Sequence, residues 1–255
     1  MRLATFNIWN NEDTWNSRKK VIIDEIIRID ADIIALQEVP NLQELELIVK
    51  DVGMKHYSFM SYLDDEEGLA ILSKHPLETI NKTNDILNQC AQRVTVAIKG
   101  FTLGLTNVHL DWKSVANREK EIVEVIKWNS ESNHTDYELL CGDFNSAPNR
   151  SSIYNFLVGE LSINAIDTSW VDLGQSLNSP TLDFVNNSWL HNRDRLNDIR
   201  VPIRYDWLLV KACYPKQEPK LTKIELFANN PTTIHQILPS DHYGVYVDLS
   251  FEKKL

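Results

Sequence analysis

The sequence predicts an α/β protein in which two mixed sheets pack together and are covered by helices. Strand-like and helix-like segments alternate over residues 2–49, whereas the segments between residues 68 and 110 are all strand-like and are separated by Pro, Gly or Asn. Alternation of strands with helices favours helical layers over a sheet, and short strands joined by turn residues favour hairpins. Together the two patterns indicate two sheets with helices outside them.

The first part of the chain contains two strand–helix units. Residues 2–8 alternate as a strand, and residues 18–29 place isoleucines at helical spacing. Residues 33–39 form a near-continuous apolar run, which is typical of a strand covered on both faces, and residues 42–49 carry a second helical stripe. We therefore expect a strand, a helix, a strand and a helix in this order.

The rest of the chain is richer in strands. Three strand-like runs come first, namely GLAILSK (68–74), RVTVAI (93–98) and FTLGLTNVHL (101–110). Helical spacing returns over residues 115–128, and residues 151–157 have the pattern of a short helix. Residues 160–200 are mostly polar and are expected to be irregular. Two further strand-like runs close the chain, namely RYDWLLV (204–210) and YGVYVDL (243–249).

Length and composition indicate an ordinary globular protein. The chain has 255 residues, of which 43% are hydrophobic and 24% are charged, and it contains no low-complexity run or obvious repeat. We expect one domain over residues 1–255. The three cysteines are scattered and form no CxxC pair, so neither a disulfide framework nor a cysteine-based zinc site is indicated.

Charge and hydropathy limit the expected partners. The formal net charge of −10 makes bulk binding of nucleic acid unfavourable, although a local basic patch could still override that field. No apolar stretch approaches the ~20 residues of a membrane span, and the first residues lack the basic start and apolar run of a signal peptide. We expect a cytoplasmic, monomeric protein without a transmembrane segment.

One short segment, LLCGDFNSAP at residues 139–148, raises the question of function. Its apolar strand runs directly into Asp143 and Asn145, which a protein core excludes unless something satisfies them. Other strands end in the same way. The polar residues at predicted strand ends are Asn7, Glu38, His109, Asp143, Asn145, Asp241 and His242, and Asp206 interrupts a further strand. Strand ends on one rim are where layered folds assemble sites.

Each of these residues also has a structural explanation when taken singly. Asn7 could be a turn residue, and Glu38 could cap the helix that follows it. A single histidine such as His109 is more often structural than catalytic, and short motifs have low specificity. The set as a whole favours a site.

The set also lies within a family signature. The segments TFNIW, IIALQEV, GLAILSKHP, LTNVHLD, LLCGDFN, YDWLLV and PSDHYGV follow one another in the order and spacing found in the endonuclease/exonuclease/phosphatase superfamily. The chain therefore resembles deoxyribonuclease I, exonuclease III and the neutral sphingomyelinases from Thr5 to Val247. This resemblance implies a four-layer α/β sandwich of two mixed, mostly antiparallel sheets lying back to back, with helices on the outer faces. It also implies metal-dependent cleavage of a phosphoester.

The resemblance implies a metal site and a base. Glu38 would be the main ligand of Mg²⁺, or of Mn²⁺, while Asn7 would orient a water or a ligand oxygen and Asp241 could add a carboxylate. This set agrees with the preference of magnesium for oxygen ligands. Asp143 would be the base for the attacking water, and Asn145 would either donate its amide to the phosphate or fix Asp143.

Two histidines complete the implied catalytic set. His242 would donate a proton or a hydrogen bond to the phosphoryl oxygen, and Asp206 would orient it and favour its charged form. His109 would act similarly, and its partner would be Glu67 or the adjacent Glu66.

Substrate-binding residues are less clearly marked. Arg93 begins RVTVAI and by analogy could face the site, while Trp9 and Trp112 follow two site residues closely and could stack on a base or sugar. Their alternative is core packing. A basic insertion holds Arg193, Arg195, Arg200 and Arg204. It could bind a second phosphate or an acidic head group, or it could be a solvated loop that pairs with Asp194 and Asp198.

These features give three hypotheses. The first is a Mg²⁺-dependent phosphoester hydrolase, and within this class a phosphodiesterase is favoured. It would act on a small soluble or head-group substrate by metal-assisted in-line attack of water. The second is an endonuclease, exonuclease or DNA-repair nuclease, for which nucleic acid would be the partner; the acidic chain does not favour it. The third is a non-catalytic phosphate-binding module, which the presence of the complete polar set disfavours.

Overall fold

Two six-stranded sheets face each other in the computed structural model, which describes residues 1–81, 84–131, 135–191, 201–231 and 237–251. Within these ranges the strands are β1 (Arg2–Asn7), β2 (Ile33–Val39), β3 (His56–Ser61), β4 (Gly68–Ser73), β5 (Leu77–Thr79), β6 (Ala91–Ile98), β7 (Phe101–His109), β8 (Tyr137–Asp143), β9 (Trp170–Asp172), β10 (Asp206–Lys211), β11 (Lys220–Phe227) and β12 (Gly244–Ser250). The α-helices are α1 (Glu12–Ile29), α2 (Leu42–Val52), α3 (Asp85–Cys90), α4 (Val115–Glu131) and α5 (Ser152–Leu157).

Both sheets are mixed and mostly antiparallel, as predicted. The first sheet has the order β11-β12-β1-β2-β4-β3, and the second has the order β5-β6-β7-β8-β10-β9. Among the strands just named, β1 with β2 and β7 with β8 are the parallel pairs. These four strands therefore deliver their carboxyl ends in two adjacent pairs, one in each sheet.

Three apolar clusters make the predicted four layers. Side chains such as Leu3, Ile33 and Leu139 lie between the sheets and are fully buried. The alternate residues of the same strands point outward, because successive strand side chains face opposite sides. On the first sheet they pack against α1 and α2, and on the second against α3, α4 and α5. The four-layer sandwich is thereby confirmed.

Helix α1 begins earlier than the sequence predicts. The prediction placed its start at Arg18, whereas the helix starts at Glu12 because the side-chain oxygen of Asn11 accepts a 3.1 Å hydrogen bond from the backbone N–H of Thr14. This contact caps one of the unpaired N–H groups of the first turn. None of the helices in the described ranges is long and apolar enough to cross a membrane.

Several strands have no clear period in the sequence. Strand β11 is an edge strand whose lysines keep one face in solvent, and β3 is the opposite edge. Edge strands tolerate charge and need not alternate cleanly, so apolar periodicity misses them. A further difference concerns Asp206, which begins β10 rather than interrupting it. It is thus a strand-end residue like the others.

A buried pair of amides joins the two sheets. The side-chain amide of Gln37, in β2, donates to the Oδ1 atom of Asn107, in β7, at 2.7 Å. Asn107 in turn donates to the backbone carbonyls of Leu36 and Ala70 at 2.9 and 3.2 Å. Both side chains are fully buried. We call this Gln37–Asn107 pair the amide bridge; it lies one residue before Glu38 in β2 and two residues before His109 in β7.

Candidate active site

The topology brings the polar strand ends to one edge of the sandwich. Parallel strands β7 and β8 end together, with His109 opposite Asp143. Strand β10 runs antiparallel to β8 and begins where β8 ends, so that Asp206 pairs with Asp143. The segment before β12 returns beside the end of β1 in the same way. Residues far apart in the sequence therefore meet at this edge.

A cavity of about 550 Å³ opens at this edge. It is lined by Trp9, Glu38, His109, Trp112, Lys113, Arg118, Asp143, Asn145, Leu182, Tyr205, Asp241 and His242. Of the predicted site residues, Asn7 and Asp206 lie just behind this lining and contact it, whereas Arg93 and Arg204 do not reach it.

Three residues of the lining have left-handed backbone conformations. The φ angles are +58° at Trp9, +55° at Glu38 and +46° at Asn145. Residues with side chains seldom adopt this region, and such strain persists where the surroundings impose it, often at functional sites. At Glu38 the cause is an irregular register between β2 and β4. The local distortion turns the Glu38 side chain into the cavity.

Close packing of β7 on β8 requires glycine before Asp143. Gly142 has a φ of +134°, and a Cβ atom at this position would lie 1.9 Å from the backbone oxygen of Val108. No other residue fits without separating the strands. The glycine in LLCGDFN therefore has a structural reason, because it allows Asp143 to lie beside His109.

The Asn7 amide holds two carboxylates together. Its Nδ2 atom donates to Glu38 Oε1 at 2.8 Å and to Asp143 Oδ2 at 3.1 Å. Its Oδ1 atom accepts the backbone N–H of Trp9 at 3.0 Å, which fixes the orientation of the amide. The sequence predicts that Asn7 orients a water or a ligand oxygen, and these contacts agree with the second of the two roles. Asn7 orients ligand oxygens with its N–H groups, and its own oxygen faces away.

The carboxylates form a set suited to a hard divalent cation. Glu38 and Asp143 oxygens each lie 3.8 Å from His109 Nε2, and Asp241 lines the same cavity. Among the described residues, neither Glu38 nor Asp143 forms an ion pair with Lys or Arg, so their negative charge is left uncompensated by those side chains. Carboxylate oxygens in this number are the usual ligands of Mg²⁺ or Mn²⁺. Asp143, Asp206 and His242 also approach one another closely, but Asp206 and His242 use their facing atoms on each other.

Asp143 lies at the centre of the site. Its Oδ1 atom accepts the backbone N–H of Asn145 at 2.8 Å, and its Oδ2 atom lies 3.7 Å from His242 Nε2 and 3.8 Å from His109 Nε2. The Asn145 side chain donates to the backbone carbonyl of Leu110 at 2.9 Å. Asn145 thus fixes the Asp143 carboxylate through its backbone rather than its side chain.

His242 is paired with a fully buried carboxylate. Its Nδ1 atom lies 2.9 Å from Asp206 Oδ2, which leaves Nε2 facing Asp143. Burial raises the pKa of Asp206. Burial alone would lower the pKa of His242, but the carboxylates of Asp206, Asp143 and Asp241 outweigh it and raise that pKa to about 10. The imidazole is therefore positively charged at neutral pH.

The charge on His242 can be observed directly. In metal-free protein we expect the ring nitrogens of His242 to show an imidazolium signature by ¹H–¹⁵N NMR from pH 6 to 8. The Asp206→Asn variant lacks the carboxylate nearest to His242, so burial should lower the pKa of the His242 ring. The ring should then be neutral by pH 8. Signals of His75, which does not line the cavity, serve as the control. A neutral His242 in the unmodified protein at pH 7 would contradict this assignment.

His109 is oriented by a tyrosine, not by a glutamate as predicted. The Tyr62 hydroxyl lies 2.8 Å from His109 Nδ1. Glu67 instead accepts from the Asn10 side chain at 2.6 Å, and burial raises the pKa of Glu67 to about 7; Glu66 is exposed. Burial holds the pKa of Tyr62 well above its usual value, so its hydroxyl is neutral and can donate to Nδ1. The other ring nitrogen of His109, Nε2, faces Glu38 and Asp143.

Loss of the Tyr62 hydroxyl is expected to reduce turnover with little effect on KM. Tyr62→Phe keeps the ring and removes a hydrogen bond of about 0.5–1.5 kcal/mol, so kcat on a phosphoester should fall about tenfold. The matched control is Tyr57→Phe, which should leave kcat unchanged; Tyr57 is a half-exposed tyrosine in β3, the strand that precedes Tyr62, and its hydroxyl contacts Glu46. Equal kcat values for the two variants would show that Tyr62 does not orient His109.

Two predicted substrate-binding arginines are structural instead. Arg93 is 1% exposed and makes two 2.8 Å contacts with the Glu138 carboxylate. Arg204 is buried against Asp172 and lines a separate cavity of about 340 Å³. Both predictions were wrong, because an internal carboxylate already neutralises each guanidinium. The other arginines of the insertion, Arg193, Arg195 and Arg200, lie outside the described residues.

The aromatic residues reach the cavity as expected. Trp112 is 64% exposed on its wall. Trp9 lies on the lining too, with its ring 5.6 Å from that of Trp189 and its carbonyl bound at 2.7 Å by Arg18 Nη2. Arg18 supports this part of the site but is not marked by the sequence; it is fully buried and donates hydrogen bonds to the loops that follow β1 and precede β12. No local pattern marks an arginine on a helix as buried.

Comparison with known proteins agrees with this geometry. A model of the Endonuclease/Exonuclease/phosphatase family matches residues 4–242. Carbon catabolite repressor protein 4 homolog 3 of Arabidopsis thaliana is 28% identical over 167 residues, which are 58% of this chain and 37% of that protein. The chain thus matches little more than a third of the length of that relative.

Solved structures share the fold at low identity. Danio rerio TDP2 complexed with a single-strand DNA product has a TM-score of 0.74 and 16% identity, covering 98% of this chain and 99% of that chain. A mannosyl-6-phosphatase of Bacteroides thetaiotaomicron has a TM-score of 0.73 and 18% identity, covering 98% and 100%. The shared architecture, the site geometry and the match over nearly the whole sequence lead to one conclusion: the chain belongs to the Endonuclease/Exonuclease/phosphatase family of phosphoester-cleaving hydrolases.

Proposed function

We propose that the protein is a Mg²⁺-dependent phosphoesterase that prefers phosphodiesters of small substrates. The observation that carries this proposal is the surroundings of Asp143. Its two oxygens are held by Asn7 and Asn145, and two histidine Nε2 atoms lie 3.7 and 3.8 Å from one of them. This arrangement places a proton acceptor for a water and two nitrogens that can donate to a phosphoryl oxygen in the same small volume.

The residues of the chain divide the work. Asp143 accepts a proton from the attacking water, because it is the central carboxylate and its orientation is fixed. The charged His242, held by Asp206, donates to a phosphoryl oxygen, and His109 donates through Nε2 while Tyr62 holds Nδ1. Glu38, Asp143 and Asp241 would hold the metal ion, with Asn7 fixing two of these carboxylates. When bound, that ion supplies positive charge that polarises the phosphoryl group.

The proposal favours small substrates on physical grounds. The chain carries a net charge of −10, and the cavity is lined by only two Lys or Arg side chains among the described residues. Long duplexes are bound through many cationic contacts with phosphate, which these residues do not provide. A second candidate, a nuclease acting on single strands, is supported by the similarity to the fold of TDP2 complexed with a single-strand DNA product.

A pair of chromogenic esters tests the proposal. We expect bis(p-nitrophenyl) phosphate to be hydrolysed faster than p-nitrophenyl phosphate with Mg²⁺, and we expect EDTA to abolish both activities until Mg²⁺ or Mn²⁺ is restored. Activity that survives EDTA would overturn the metal requirement, and faster cleavage of the monoester would overturn the diester preference. A single-stranded oligonucleotide cleaved when neither small ester is would favour the nuclease.

A further inference from the structure

One wall of the cavity carries positive charge that the proposed reaction does not use. Lys113 and Arg118 line the cavity, and both come from the segment that follows β7 and enters α4. Neither lies within 4 Å of a carboxylate oxygen in the described part of the chain, whereas Glu38, Asp143 and Asp241 lie on the same cavity. The cavity lining therefore includes two cations that form no ion pair with its carboxylates in the described residues.

The basic wall is held in place by Asp111. Its Oδ1 atom accepts the backbone N–H groups of Lys113 and Ser114 at 2.6 and 2.7 Å, and its Oδ2 atom accepts the Asn117 side chain at 3.0 Å. Arg118 Nη1 donates to the Asp111 carbonyl at 2.8 Å. These bonds fix the turn that presents Trp112 and Lys113, so the wall is ordered before a ligand arrives.

The charges on this wall are poorly satisfied by the protein. Lys113 Nζ lies 4.9 Å from the ring centre of Trp112 and has no carboxylate partner among the residues described. The Nε atom of Arg118 is buried and has no hydrogen-bond partner among the described residues. The guanidinium nevertheless interacts electrostatically with the carboxylates of Asp111 and Glu121. A cation beside an open cavity in an acidic protein is available to an anionic group of a ligand.

An aromatic surface accompanies these cations. The Trp112 ring is 64% exposed, which is unusual for so large a side chain, and it belongs to the same cavity wall. An exposed tryptophan next to cations can bind a ligand that has a planar ring and an anionic group beside that ring. The proposed reaction assigns the scissile phosphate to Asp143 and the two histidines, which leaves Lys113 and Arg118 for a second anionic group.

We propose, on the basis of the proposed function, that the substrate carries an aromatic ring and a second anionic group in addition to the scissile phosphate. This chemistry is that of a nucleotide with more than one phosphate. Trp112 stacks on the base, and Lys113 and Arg118 bind the phosphate that is not cleaved. We call Trp112, Lys113 and Arg118 the second-phosphate subsite.

Two esters that differ in one phosphate test the subsite. Thymidine 5′-(p-nitrophenyl phosphate) and its 3′-phosphorylated form share the base and the scissile bond. We expect KM to be about tenfold lower for the 3′-phosphorylated ester, since it adds charge-assisted hydrogen bonds. Lys113→Met should remove most of this preference, whereas Lys120→Met, which changes an exposed lysine outside the cavity, should keep it. Trp112→Leu should raise KM about tenfold for both esters.

The outcomes separate this inference from the proposed function. Hydrolysis of both esters with equal KM, or a preference that survives Lys113→Met, would overturn the subsite and leave the phosphoesterase intact. If neither ester is hydrolysed, titration calorimetry compares thymidine 3′,5′-bisphosphate with thymidine 5′-phosphate. Tighter binding of the bisphosphate that depends on Lys113 would support the subsite even though the activity failed, and equal binding would overturn it.

Discussion

Asp143→Asn is expected to lower kcat for phosphodiester hydrolysis about a thousandfold while the protein remains folded. The substitution keeps the shape of the side chain but removes the proton acceptor, and a positioned general base contributes about 10²–10⁴-fold. It also removes a charge from the group of carboxylates that would hold the metal ion. Asn7 and Asn145 donate to different oxygens of this side chain, so the single oxygen of the asparagine keeps one of the two contacts. The measurement is kcat at saturating Mg²⁺, with the circular dichroism spectrum and Tm as checks of folding.

A second aspartate provides the control. Asp248→Asn makes the same change in net charge at the opposite end of β1, where Asp248 pairs with Arg2 at 2.8 Å. Its kcat should stay within about twofold of the unmodified protein, because a half-exposed ion pair contributes little even to stability. If Asp143→Asn retained more than a tenth of the activity, another group would have to be the base.

Arg93→Met is expected to lower the free energy of unfolding by about 3–5 kcal/mol, and Tm by about 10 °C. The variant leaves Glu138, which is 4% exposed, as a buried carboxylate without its cation. The guanidinium also contacts Thr106 and Asn129 at 3.0 and 3.1 Å, so further polar groups lose their partner. Denaturant titration measures the effect. The variant should leave KM unchanged in the protein that remains folded.

Removing both charges together tests the reason for this loss. In Arg93→Met combined with Glu138→Leu no uncompensated charge remains, and replacing a buried ion pair by apolar side chains is often nearly neutral, so most of the stability should return. Lys20→Met, which breaks an exposed ion pair with Asp24, should leave the free energy of unfolding nearly unchanged. A stable Arg93→Met protein with raised KM would restore Arg93 as a substrate-binding residue.

Much of the fold and the centre of the site follow from local sequence patterns. Asp143 and Glu38 could be identified because each lies at the carboxyl end of a buried apolar strand, and such strand ends lie at the rim of a layered fold. Gly142 could be noticed as part of the motif, but its reason, the close approach of Val108, is visible only in three dimensions. The order of the strands in each sheet likewise depends on contacts between distant segments.

The errors concern partners rather than residue types. Arg93 lies in a strand, as predicted, but the carboxylate that neutralises it, Glu138, is 45 residues away. The apolar periodicity of the sequence does not show which distant residue will face Arg93. The same holds for Arg204 and Asp172. Tyr62 follows an edge strand that has no clear alternation, so its approach to His109 could not be seen. Burial and pairing across the chain decide these cases.

The amide bridge between the sheets has a consequence for heat inactivation. The first sheet supplies Glu38 and leads from His242 into β12, and the second supplies His109 and Asp143, so the His242–Asp143 and His109–Glu38 distances are also distances between sheets. Apolar packing resists separation of the two sheets but is non-directional and resists sliding weakly. The Gln37–Asn107 hydrogen bonds are directional and lie directly beneath the site. A relative movement of the two sheets by about an ångström would misalign the site while the apolar core stayed buried. We therefore expect heating to abolish catalytic activity at a lower temperature than it unfolds the protein.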